Sequence, residues 1–166
     1  EKYLSLFTST QIKKDLHVEA FLRVLAMSDI YYGKFKSSKQ GIKNILDEYG
    51  EQKKSEIISE EVISKLFNSL DQLLEFFEAK KLFRRVNVNR DIEGILNFGI
   101  LESLLGVMVF GGYKLPDNFY EKYINRMGQL FDGYLLDESH NPFSTSTGSV
   151  SSIKKRFEIF EGILEK

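Results

Sequence analysis

The sequence predicts an all-α fold, a single-domain bundle of about six helices. Three observations lead there. Apolar residues recur at steps of three and four along most of the chain, which places them on one face of a helix. Few segments alternate apolar and polar residues with the period of two that a half-buried strand requires. Prolines occur only at positions 116 and 142, so little breaks the helical runs. The length of 166 residues suits one domain at about 150 residues each, and such a chain buries about two-thirds of its unfolded surface without staples.

The first helix is expected from about Ile12 to Ser28, with Ile12, Leu16, Ala20, Val24 and Met27 as its stripe and Gly33 ending the unit. A second runs from Ser38 to Tyr49, with Ile42, Ile45, Leu46 and Tyr49 inward and Gly50 as a stop. The third starts after a Ser59 cap, with Glu60 and Glu61 in its first turn, where the helix end is positive. It continues through Leu66, Leu70, Leu73 and Phe77, and Lys80 and Lys81 complement its C-terminal end. The fourth, near Ile92 to Phe110, is apolar nearly all round and belongs at the centre of the bundle. Gly94, Gly99 and Gly106 each weaken it by ~1 kcal/mol relative to Ala, tolerable where neighbours pack closely on them. The fifth opens with Pro116 at the first helical position and carries Phe119, Tyr123, Ile124, Met127 and Leu130. An irregular stretch from Asp132 to Gly148 precedes the last helix, which starts near Ser149 and carries Val150, Ile153, Phe157, Phe160 and Leu164.

Composition excludes several function classes. The chain has no cysteine, which removes disulfides, thiolate metal sites and cysteine nucleophiles. With only His17 and His140, a histidine-rich metal cage is out, and no metal or cofactor is expected. The net charge of −1 gives no overall pull toward nucleic acid or membrane. The longest apolar run, Ile95 to Phe110, is interrupted by Asn97, Glu102 and Ser103, too short and too polar for a membrane span. No basic segment precedes an apolar one at the start, so no secretory signal is read. Glu1 stands where an initiator Met would; the expectation is a cytoplasmic fragment of a longer protein.

Two stretches carry a resemblance. The first runs from Lys13 to Ala26 and includes Glu19, Leu22, Arg23 and Ala26; Tyr32-Gly33-Lys34-Phe35 and a helix ending at Tyr49 follow it. It resembles the E-x-x-L-R-x-x-A … Y-x-G pattern in the helical region of the ParB-like family of GmrSD-type, modification-dependent restriction enzymes. The second runs from Phe143 through a Ser/Thr/Gly loop to Val150, Ile153, Arg156 and Phe157, and is similar to the F … T … v-x-x-R pattern that closes that region. Family members often carry an acid two residues before the Glu, where this chain has His17. The acidic-Gly-Gln-Gln-Arg run of the N-terminal ParB-like lobe is not in the sequence, and neither is the His-Asn-His nuclease of the partner module.

The resemblance therefore implies a non-catalytic helical domain of a defence protein against foreign or modified DNA. It would pack on a nucleotide-dependent lobe of the same protein, whose whole would be an NTP-dependent DNA endonuclease. Fold likeness alone does not carry function, which resides in sites. Glu19, Arg23 and Arg156 are its signature residues, with an interdomain role for Arg23 as one reading and a structural ion pair as the other. Glu19 and Arg23 stand four apart, in the favourable order for an intrahelical pair.

Lys80, Lys81, Arg84, Arg85 and Arg90 form an acid-free stretch of five cations that could meet nucleic-acid or other phosphates. Lys34, Lys36, Lys39 and Lys43 form a second, and Lys154, Lys155 and Arg156 a third; solvated faces are the plainer reading of all three. No catalytic residue is assigned. His140, beside Asp137, Glu138 and Ser139, lacks partners held rigidly enough for a triad or a metal. Ser144 to Gly148 matches a phosphate loop in composition and lacks its spacing. Two rival readings stand beside the first: an independent nucleic-acid-binding module, and an enzyme in which Asp91 and Glu93 converge on Arg84 or Arg90.

Overall fold

The computed structural model describes residues 2–131, 141–144 and 147–166. A 3-10 turn over Lys2–Leu6 leads into helices α1 (Ser9–Lys13), α2 (Leu16–Tyr31), α3 (Ile42–Lys53) and α4 (Glu60–Phe76). A two-stranded antiparallel hairpin follows, β1 (Arg85–Val86) with β2 (Ile92–Glu93), pairing Arg85 with Glu93 and Val86 with Ile92. Helices α5 (Phe98–Gly111), α6 (Phe119–Phe131) and α7 (Val150–Ile163) complete the described order. The fold is an all-α bundle. No helix among the described residues is long and apolar enough to cross a membrane.

The centre is α5. Every residue from Ile100 to Val109 is buried, because α2, α4 and α7 all pack on it. A helix enclosed on all sides must be apolar all round, and the run Ile100-Leu101, Leu104-Leu105, Val107-Met108-Val109 satisfies this. Close approach is bought by a missing side chain: a Cβ on Gly106 would lie 2.5 Å from Ser28 Oγ and 2.6 Å from the Phe157 ring.

The central helix is shorter than its apolar pattern suggests. Ile92 lies in β2, Gly94 turns with φ 83°, and α5 begins only where the Asn97 side chain accepts the Ile100 N–H at 3.1 Å. Two-residue strands leave no alternation to read, so β1 left no signal and β2 fell inside the expected helix. The first expected helix is two. Thr8 and Gln11 form a reciprocal capping box that starts α1 at Ser9, and Asp15 breaks the chain with φ 54°, a left-handed conformation that Asp tolerates better than most residues.

Ser38 does not start α3. It turns its hydroxyl and amide to Glu48, at 2.7 and 3.1 Å, and the Ser37 hydroxyl bond to Glu48, joined by these, holds the carboxyl below its ordinary range. Gly50 does not stop that helix, which runs on to Lys53; a glycine ends a helix through a left-handed turn, which Gly50 does not make. Pro116 sits before α6, its carbonyl accepting the Phe119 N–H at 2.9 Å. Lys80 and Lys81 lie in the turn beyond α4, past its last residue Phe76. The Ser59 and Ser149 caps stand where the sequence puts them, accepting from the N–H groups of Val62 and Ser152. His140 and most of the irregular stretch lie outside the described residues.

Two glycines should respond oppositely to alanine. Gly106→Ala should lose about 1–3 kcal/mol through overpacking against Ser28 and Phe157, despite the better helix former. Gly50→Ala, in a helix interior with no atom near the added methyl, should gain about 0.5–1 kcal/mol. Urea denaturation of both variants checks the sign.

Candidate functional site

The apolar central helix carries one ionisable side chain, Glu102, and it is fully buried. A buried carboxylate needs cations and donors around it. Arg156 from α7, itself 0% exposed, donates from Nη2 to Glu102 Oε1. Its Nη1 donates to the carbonyls of Pro142, at 3.0 Å, and Thr147, at 2.9 Å. Arg23 from α2 places Nη1 3.7 Å from Glu102 Oε2 and Nη2 2.7 Å from Glu19 Oε1, and its guanidinium lies 4.6 Å over the Phe98 ring. Gly99 makes room for this arrangement, since a Cβ there would meet Arg156 Cδ at 3.0 Å. Burial pushes the Glu102 carboxyl above its ordinary range, while the two guanidiniums pull it down.

The three signature residues Glu19, Arg23 and Arg156 are thus brought together. Sequence reasoning missed the residue that gathers them: Glu102 showed only as an interruption of an apolar run. A lone acid in the middle of a helix apolar on every face was the available signal.

This cluster opens on a cleft of about 420 Å³, lined by Arg23, Arg85, Asn97, Phe98, Glu102 and Thr147 among others. The start of α5 adds first-turn amides whose partial charge is positive. Arg23 is partly exposed and Arg85 exposed at the lip of the cleft.

The basic stretch divides. Lys80, Lys81 and Arg85 are exposed and Arg90 half-buried, its guanidinium lying against Gly128. Arg84 is only 7% exposed and donates from Nη2 to the Leu6 carbonyl at 3.1 Å, so it is not part of an outward phosphate-facing row. Asp91 and Glu93 are exposed on the hairpin, with Glu93 accepting from Asn87 Nδ2 at 3.0 Å; they do not share the buried position of Arg84. No group of three or more potential metal ligands occurs among the described residues.

A second surface feature is apolar. The 3-10 turn, α2 and α4 enclose a groove of about 450 Å³ whose walls include Leu4, Phe7, Val18, Phe21, Phe67 and Leu101. Val18 is 57% exposed and Phe67 40%. His17 lines the same groove, edge-on to Phe7 with ring centres 6.2 Å apart. The outer wall is tied to α4 by Lys2 and Tyr3, which both donate to Asp71 Oδ1 at 2.7 and 2.8 Å.

The chain matches no known family model, no curated protein and no solved structure.

Arg156→Met should destabilise the protein by about 3–5 kcal/mol by stranding a buried carboxylate. The stranded carboxyl would hold its proton to higher pH in the folded state than in the unfolded one. Over that window the native state binds more protons, so stability of the variant should fall as pH rises above about 4.3. Denaturant midpoints at pH 5 and pH 8 should therefore show the larger loss at pH 8. Adding Glu102→Leu should remove that pH dependence and recover part of the stability.

Proposed function

We propose that the chain is a non-catalytic helical domain of a GmrSD-like, cytoplasmic defence protein, packing on a nucleotide-dependent ParB-like lobe and contacting DNA. The apolar groove carries this reading. Scattered exposed apolar residues are ordinary, whereas a contiguous apolar hollow is a mark of an interaction surface. Here Leu4, Val18 and Phe67 are exposed around one hollow rather than dispersed, and the occupant assigned to it is the ParB-like lobe. A supporting observation is that residues from the two stretches carrying the resemblance, Glu19 and Arg23 from one and Arg156 from the other, meet at Glu102. Such a meeting is what a shared packing signature requires.

DNA contact is assigned to the exposed cations Lys80, Lys81 and Arg85, on the turn after α4 and on β1. Charges of this kind hold a duplex by its phosphates without reading sequence.

Two measurements test the reading. The chain should co-purify with a ParB-like lobe bearing the acidic-Gly-Gln-Gln-Arg run, and Val18→Asp with Phe67→Asp should abolish this while leaving the fold intact by circular dichroism. Retention of the complex by that variant would refute the groove as the docking face. Lys81→Glu with Arg85→Glu should weaken duplex binding and lower the log–log salt slope by about 0.9 for each phosphate no longer neutralised. Absence of any binding at low salt would remove the DNA part.

A further inference from the structure

Arg84 is a buried cation without a counter-charge among the described residues. Leu82, Phe83 and Arg84 are buried in succession, at 1%, 0% and 7% exposure, which no regular helix or strand at a surface allows. The chain manages it by placing Phe83 at φ 58°, in the left-handed region. Two bonds then lock the segment: the Asn97 N–H donates to the Phe83 carbonyl at 2.9 Å, and the Tyr123 hydroxyl to the Arg84 carbonyl at 3.1 Å. The guanidinium is held in place, with Nη2 on the Leu6 carbonyl. Its Nη1 has no hydrogen-bond partner, and Arg84 makes no ion pair with any described residue. Burial lowers its pKa.

A buried guanidinium with an idle donor is costly unless an anion completes it. The surroundings supply the space. Arg84 lines a cavity of about 320 Å³ between the α1 cap, the turn after α4 and the segment entering α5, together with Thr8, Gln11, Lys14, Lys80 and Gly94. No Asp or Glu is among its lining residues. Lys14 and Lys80 are exposed, so their ammonium groups can swing over the mouth. A buried guanidinium among the lining residues, and two exposed lysines beside it, suit a compact anion with several acceptor oxygens.

We propose that this cavity binds a phosphate group, with Arg84 at its floor and Lys14 and Lys80 at its mouth. The phosphate is a free ion or an ester in a nucleotide or a nucleic-acid backbone; the chemistry at the site is the same. None of the residues lining this cavity lines the docking groove, although Arg84 bonds to the groove residue Leu6 and Lys80 is shared with the DNA contact proposed above.

Thermal unfolding of the whole chain at constant ionic strength tests it, with inorganic phosphate, AMP and a short DNA duplex as probes. Phosphate should raise the unfolding midpoint saturably, since a ligand bound only by the folded state stabilises it. Lys14→Glu with Lys80→Glu changes only exposed positions and should require at least about tenfold more phosphate for the same shift. Arg84→Met should abolish the shift; if that variant does not fold, the lysine pair decides. A shift with phosphate or AMP but not duplex identifies a small ligand, and duplex binding that phosphate displaces identifies a backbone linkage. No shift with any probe, or an equal shift in the lysine variant, overturns the proposal.

Discussion

Placing one carboxylate inside the most enclosed helix of the bundle constrains much of what surrounds it. Glu102 cannot be hydrated where it sits, so its neighbours must bring charge to it, and they come from opposite ends of the sequence. Arg156 fixes where α7 lies along α5. Arg23 fixes which face of α2 turns inward, and its stacking on Phe98 aligns it with the start of the central helix. Apolar packing alone would permit these helices to slide or rotate with modest loss. An ion cluster with directional bonds permits far fewer arrangements.

The same constraint shapes the irregular chain before α7. Arg156 reaches out of the core to hold the carbonyls of Pro142 and Thr147, while Asn97, the cap of α5, donates from Nδ2 to the Phe143 carbonyl at 3.2 Å. The described ends of that stretch are thus fastened to the two helices that define the charged cleft. The cleft borders the cluster that satisfies this buried charge, and Arg23 is held at its edge by Glu19 and Glu102.

How much of this was legible follows from what leaves a trace in a single sequence. The bundle, its central rod and the Ser59 and Ser149 caps are local patterns, and they could be read directly. Helix limits at Asp15 and Gly41 could not, because each rests on a left-handed backbone turn that leaves no apolar period, and the Asn97 cap before Phe98 was masked by the apolar run that surrounds it. The β1–β2 hairpin is too short to show a period. Arg23 and Glu19 stood out by spacing, but their focus did not, since Glu102 has no nearby partner in sequence. Arg84 was the most deceptive residue. Amid Lys80, Lys81 and Arg85 it looks like one more surface cation, and only the preceding pair Leu82-Phe83 hinted that the chain dives inward there.

The bond from Arg84 to the Leu6 carbonyl carries one last implication. Leu6 belongs to the outer wall of the apolar groove, and Arg84 to the floor of the cationic cavity. A single guanidinium therefore serves as a shared hinge-pin for two otherwise separate hollows. Lifting the N-terminal wall from the bundle at Leu6 would leave a second nitrogen of the same buried guanidinium without its acceptor, a loss that holds this end of the chain against the core.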